Sequence, residues 1–238
     1  MHTKRLLSRA WPLPLLLMGV SGCFNPFAPR LASSTGHYIP APEPNSAEGV
    51  VRLFEWSYNH RDYSRYKELF TADYRFYFAL GDSAGNTFRD APVNREMEVT
   101  MAQHLFVGGG NASPANNISL LFDPTLRPSD DDRDGKNPRW HREIITNVNL
   151  TIKTDDNDWN IQGQARFYVV RGDSALIPDE LGFGPDSTRW YIDRWNDETL
   201  QGQGAAAAQP ASSRPTSATD LLDPITLSWG KLKAMYSR

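Results

Sequence analysis

The sequence predicts an α+β domain. Three observations carry that prediction: an amphipathic helical stretch that starts at Asn45, a long hairpin whose residues alternate apolar and polar from Ile144 to Val169, and flanks too polar or too Pro-rich to join either. The 238 residues suffice for one domain of ordinary size with tails, and a hydrophobic fraction of 39% with seven Trp allows a true core.

Residues 1–22 have the three parts of a secretory signal: basic Lys4, Arg5 and Arg9, an apolar run from Leu13 to Val20, and small Ser21 and Gly22. The run is too short to span a bilayer. Cys23 follows at once and is the only cysteine, which excludes an internal disulfide and a Cys-rich metal site. Removing three basic residues with the signal leaves 22 basic against 28 acidic residues, a net charge of about −6. Such a chain is a poor nucleic-acid binder, because phosphate neutralisation needs clustered Lys and Arg. Residues 23–44 hold Pro26, Pro29, Pro40, Pro42 and Pro44 without helical period, and read as an extended tether.

The domain is expected over 45–197. Asn45 with Glu48 has the form of a capping box, and Ala47, Val50, Val51, Phe54 and Tyr58 form one apolar stripe behind it. Trp56, opposite the stripe, calls for a cover of its own. Asp62 can cap a second helix carrying Tyr63, Tyr66, Leu69 and Phe70, after which Tyr74, Phe76 and Phe78 alternate as in a strand. Gly81 to Pro92 reads as loop, and Val93 to Val107 as a third helix with Val93, Met97, Met101 and Leu105 on one face, stopped by Gly108 to Gly110. Ile118 to Phe122 is a short strand and Pro124 to Pro138 an acidic loop. The hairpin pairs Ile144–Lys153 with Trp159–Val169 across a turn at Thr154–Asp158, each strand apolar on one side and polar on the other. Thr188 to Trp195 is a last, aromatic strand.

Residues 198–219 are rich in Ala, Gln, Ser, Pro and Thr, a composition that cannot bury enough surface to fold. Residues 220–238 regain apolar character at Leu222, Ile225, Leu227, Trp229, Leu232, Met235 and Tyr236. This segment either folds back on its domain or docks on a partner or the membrane surface. Pro224 and Gly230 argue against one continuous helix, and deletion of everything after Asp197 is expected to leave the domain folded.

Two resemblances follow from these residues. Val20-Ser21-Gly22-Cys23 resembles the lipobox of bacterial lipoproteins, which implies that Cys23 is acylated and becomes the first mature residue, anchored in the lipid membrane of the cell envelope. With Phe24 and not Asp after it, the resemblance favours the outer membrane where the host has two. The element order, with Val50–Tyr58, the run Tyr66-Lys67-Glu68-Leu69-Phe70-Thr71-Ala72-Asp73-Tyr74 and Arg189–Trp195, resembles the NTF2-like or cystatin-like α+β proteins, which include ketosteroid isomerase, scytalone dehydratase and the SnoaL-type cyclases. That resemblance implies a strongly curved antiparallel sheet wrapped into a cone around about three N-terminal helices, with a pocket at its mouth.

The family's catalytic carboxylates and His have no matched positions here. The first helix brings only Ser57, Tyr58 and Arg61 as inward polar groups, and the inner face of the hairpin only Thr146. Weak ligand-contact candidates are Tyr58, Asp193 and His104, beside Asp73 and His141. The plainer reading of Asp193 is a buried partner of a nearby Arg, and of His104 a satisfied helix-face histidine. Asp130, Asp132 and Asp134 before Gly135 fit the first half of a calcium loop, but His141 stands where the bidentate Glu belongs, so calcium competes with a solvated acidic loop. No other cofactor is implied. The leading expectation is a membrane-anchored lipoprotein whose domain binds or scaffolds an unknown envelope protein or a small apolar ligand. The alternative is a cofactor-independent ketosteroid-isomerase-like or SnoaL-like enzyme on a small apolar substrate. A third reading is a homodimer through the polar outer face of the sheet, Asn147, Asn149, Gln162, Gln164 and Arg166.

Overall fold

A computed structural model describes residues 40–88, 92–199 and 225–238. The signal segment, Cys23, most of the tether and the low-complexity stretch lie outside them. Helix α1 (Ala47–His60) is capped by Ser46, whose Oγ accepts the Gly49 N–H at 2.9 Å, so the cap falls one residue after the predicted Asn45. Gly49 permits this entry: a Cβ there would meet the Glu43 carbonyl oxygen at 2.4 Å. The chain before the helix is therefore folded against it. Pro44 is buried and its carbonyl accepts the Trp190 N–H at 2.8 Å, so the predicted tether ends before residue 44 and the domain begins before residue 45.

Helix α2 (Tyr63–Lys67) is capped by Asp62 as the sequence predicts, through the Arg65 N–H at 2.9 Å. It is shorter than expected. Phe70 opens strand β1 (Phe70–Tyr77), because sheet pairing with Ile192 claims it. Strand β2 (Val93–Asn94) takes the first two residues of the predicted third helix, and α3 (Arg95–Phe106) starts behind the Asn94 cap, whose Oδ1 accepts the Met97 N–H at 3.0 Å. Its buried face is Glu98, Met101, Ala102, Leu105 and Phe106, rotated from the predicted stripe. The predicted loop 81–92 contains a 3-10 turn, Ser83–Phe88.

Strands β3 (Asn117–Phe122), β4 (Ser129–Asp130), β5 (His141–Lys153), β6 (Asp158–Arg171) and β7 (Trp190–Thr199) build most of a curved sheet in the order β2-β1-β7-β6-β5-β3, with β4 beside β5. The predicted hairpin is β5 and β6, paired from His141↔Val170 to Lys153↔Asp158. Its period-2 pattern is obeyed: Ile144, Val148, Leu150 and Ile152 are buried beside Ile161, Ala165 and Phe167. Phe54 of α1 sits at the centre of the core, 5.2 Å from the Phe167 ring and 5.2 Å from that of Trp195. Trp56 is stacked on His60 of its own helix, with ring centroids 4.0 Å apart, and packs as a partly buried ring against the core.

The C-terminal segment completes the domain. Strand β8 (Ile225–Leu227) pairs parallel with β6 over Trp159–Ile161, next to the stretch from Gly163 onward where β7 pairs. Helix α4 (Trp229–Tyr236) then enters the core. Trp229, Leu232 and Tyr236 are at most 2% exposed, and the Trp229 indole meets Trp195 edge-on at 4.4 Å. Gly230 lets the helix come this close, since a Cβ would meet the Phe78 ring at 2.5 Å. A boundary at residue 197 is thus too early, and the deletion expected to be harmless removes part of the core. Replacing Trp229 by Ala in the full chain should cost about 3–5 kcal/mol in urea-induced unfolding, the range for a large buried aromatic; a change within error would mean that the helix is not packed here.

Candidate functional site

Buried polar side chains converge inside the curved sheet. Each wall contributes by its own local logic. Tyr58 comes from the stripe of α1, Tyr66 from α2, Tyr74 and Phe76 from the inward parity of β1, Trp195 from β7, and Glu98 from the buried face of α3. Helix α4 brings Trp229 and Lys233 into their midst. The Trp229 Nε1–H donates to the Tyr58 hydroxyl at 3.2 Å. Lys233, 3% exposed, donates to Glu98 Oε1. Tyr66 donates to the same oxygen at 2.6 Å and Tyr74 to Oε2 at 3.1 Å.

Burial governs the titration of these groups. It pushes the Tyr66 and Tyr74 phenols well above the ordinary range, and the negative charge of Glu98 adds to that. Tyr58 is raised for the same two reasons. Lys233 is pulled down by burial against the attraction of Glu98. The remaining cavity lined by Tyr58, Glu98, Met101, Ala102, Leu105, Leu232, Lys233 and Tyr236 is about 10 Å³, at the lower limit for a single water. Both oxygens of Glu98 accept hydrogen bonds, and the cavity it lines among the described residues has no room for a substrate.

A second buried polar cluster holds the start of α4. Ser228 caps the helix, its Oγ accepting the Lys231 N–H at 3.0 Å and donating to Asp82 at 2.5 Å. Asp197 accepts the Gly230 N–H at 2.8 Å and the Thr199 hydroxyl at 2.6 Å, while the Trp229 N–H donates to Thr199 Oγ1 at 2.8 Å. Burial raises the Asp197 carboxyl to about 6, overcoming the donors that would lower it.

The residues singled out from sequence do not converge. Tyr58 lies inside the cone, bonded to Trp229. His104 is at the edge of α3 with Nδ1 2.9 Å from the Tyr236 carbonyl oxygen, which can only accept, so Nδ1 carries the proton. Asp193 is on the outer face, whereas strict alternation would put it on the same side as Trp195, which is in the core. The register slips between Tyr168 and Val169, so Asp193 is the extra residue of a bulge. Its carboxylate accepts from Arg133 at 3.0 Å and Lys136 at 3.3 Å, and Arg133 lies over the Tyr168 ring at 4.0 Å.

The calcium half-motif is pulled apart by strand pairing. Asp130 lies in β4 opposite Arg142 and pairs with it, Asp132 and Asp134 are exposed, and the intervening Asp131 turns inward to hold Arg133. Among the described residues no three His, Cys, Asp or Glu side chains are arranged to hold a metal ion. On the outer face, Gln164 donates to Asn147 at 3.3 Å, Asn147 to Asp123 at 3.0 Å, and Arg166 joins Glu143 and Glu198.

Sequence reasoning missed Glu98, Lys233, Asp82 and Asp197. A signal for the first two was present: Glu98 precedes Ala102 and Leu105 at helical spacing, and Lys233 falls between Trp229 and Tyr236 at helical spacing too. One acid and one base on apolar stripes are a pair in search of each other.

No protein-family profile matches this chain, and no curated protein sequence matches it. Solved structures do. An NTF2-like superfamily protein from Salmonella enterica is 12% identical with a TM-score of 0.41, covering 67% of this chain and 92% of that one. A protein with a cystatin-like fold from Caulobacter vibrioides is 9% identical with a TM-score of 0.42, covering 65% and 87%. The hexachlorocyclohexane dehydrochlorinase LinA-type3 from Novosphingobium barchaimii is 8% identical with a TM-score of 0.42, covering 69% and 90%. The described residues form an α+β fold, a large curved sheet with few helices. The hollow of that sheet is filled by the chain's own C-terminal helix.

The carboxyl of Asp197 gives that docking a pH signature. Its folded value lies above its ordinary one of 3.8, so its favourable contribution is complete below about 4, is lost as pH rises through about 6, and is constant above. The stability difference between the wild type and Asp197→Asn should therefore favour the wild type most near pH 4 and fall by on the order of 2–3 kcal/mol by pH 7. Urea unfolding at several pH values measures it, and a difference that is flat with pH would contradict the burial of this carboxyl.

Proposed function

We propose that this protein is a lipid-anchored bacterial envelope protein whose NTF2-like domain acts as a binding or scaffolding module. The observation that carries the reading is the filled interior: Trp229 and Lys233 are buried in it, and the cavity beside Glu98 is about 10 Å³. Acid/base catalysis needs an ionisable group within reach of a bound substrate. Here Glu98, Lys233, Tyr66 and Tyr74 satisfy one another, which supports binding over the isomerase-like alternative. With the interior taken, contact with a partner falls to the outside, where the sheet presents its hydrogen-bonded Asn, Gln and Arg rows. A second copy of the chain is one partner that such a polar face can take.

The anchor is read from Cys23 and the small residues before it. Among the described residues no helix is long and apolar enough to cross a membrane. Acyl chains on Cys23 would supply the attachment, two chains holding far more firmly than one. The outer membrane is the proposed address in a host that has two membranes.

Native mass spectrometry of the protein extracted in detergent from its host tests both halves. The expected mass is that of the chain from Cys23 with its acyl groups, carrying a protein partner or a second copy and no small molecule. An unacylated chain would overturn the anchor. A small apolar molecule retained one to one would overturn the filled cone.

A further inference from the structure

We infer that Glu98, Tyr66 and Tyr74, together with the faces of Trp195 and Phe76, form an ammonium-recognition site whose ligand class is a primary ammonium on a short apolar stem, and that Lys233 is its occupant in cis. This rests on the reading of the cone as a binding cavity filled by the C-terminal helix. It goes further by naming the chemistry the cavity selects.

The receptor half of the site belongs to the body of the domain. Tyr66 is fixed by its ring contacts with Phe54 at 5.4 Å and Phe70 at 4.9 Å, and Tyr74 by Phe70 at 4.5 Å. These two hydroxyls hold both oxygens of Glu98, at 2.6 Å and 3.1 Å, so the carboxylate is oriented by groups that do not come from the tail. Facing it are two aromatic surfaces. The Lys233 Nζ lies 4.3 Å from the Trp195 ring centroid and 4.7 Å from that of Phe76, the arrangement in which a ring quadrupole attracts a cation. One carboxylate and two ring faces match a compact ammonium with three donors. A planar guanidinium would need a wider fork, and a quaternary ammonium has no N–H for Glu98.

The charge is what makes the site selective. A carboxylate that is 0% exposed in a low-dielectric interior is costly unless a cation answers it, so a neutral isostere of the ligand leaves it unanswered. The small cavity beside the pair is lined in part by Met101, Leu105 and Leu232, apolar side chains suited to the methylene stem of such a ligand.

Lys233→Ala in the full chain vacates the space of three carbons and the nitrogen, which is n-propylammonium. The test is the thermal midpoint of this variant with n-propylammonium chloride, with 1-propanol and sodium chloride as controls. At ten times its dissociation constant the amine should raise the midpoint by roughly 3–6 °C. Equal concentrations of propanol or salt should not, and the double variant Glu98→Gln, Lys233→Ala should not respond to the amine. No response to the amine, or an equal response to propanol, overturns the proposal. Should Lys233→Ala fold poorly, the yield of refolded protein is read instead: recovery with the amine alone supports the site, and recovery with neither or with both overturns it. Tryptic cleavage after Lys231 in the wild type separates two failures. A resistant tail with an amine-indifferent variant ends the ammonium site only, whereas a readily cut tail ends the filled-cone reading beneath it.

Discussion

A sheet curved around helices encloses a hollow, and the hollow cannot stay empty without losing the contacts that hold its walls. In this protein the Glu98–Lys233 pair decides how it is filled. A carboxylate inside an aromatic core is tolerable only with a cation and enough donors; the C-terminal helix brings the cation, and Tyr66 and Tyr74 bring their hydroxyls. Once Lys233 is at Glu98, helical geometry sets Trp229 one turn earlier against Trp195 and Tyr58, and Tyr236 one turn later against Trp159. The cap at Ser228, the parallel pairing of β8 and the close approach at Gly230 then follow as the ways the chain reaches that position.

This arrangement changes what the fold can do. Here the ionisable groups face each other, and the interior works as the lock for a segment of the same chain. The polar work of the molecule is displaced to the outer sheet, where Arg166 is held between Glu143 and Glu198 and Arg133 between Asp131 and Asp193. The Arg166–Glu198 pair is the most solvated of these and contributes little to stability, whereas Arg133 with Asp131 and Asp193 is largely buried. These ion pairs fix the long side chains in a defined pattern.

Much of the architecture was legible in the sequence because it is written in local periods. The alternation of Ile144–Lys153 and Trp159–Val169 can only be a hairpin with one buried face, and Asp62 and the stripe of α1 mark their helices by spacing alone. What was illegible depends on distant pairing. Val93 and Phe70 have helical neighbours but strand partners. Asp193 looks inward by parity until a bulge, invisible in sequence, turns it to Arg133. The role of the last residues was hidden by the low-complexity stretch before them, which breaks every local signal that links Trp229 to its core. The site was half legible: Tyr58 was recognised as the polar handle of α1, while Glu98 was passed over because an acid on an exposed-looking helix reads as solvated until its base is known.

The central claim is that the last helix belongs to the cooperative core and is not an appendage resting on it. Native-state hydrogen exchange of the intact chain measures this directly, through the Leu232 amide, which donates to Ser228, and the amides of the β5–β6 hairpin. The account predicts that Leu232 exchanges only with global unfolding, with the same free energy of opening as Leu150. Exchange of Leu232 at a rate near that of an unprotected amide, while Leu150 stays protected, would contradict it.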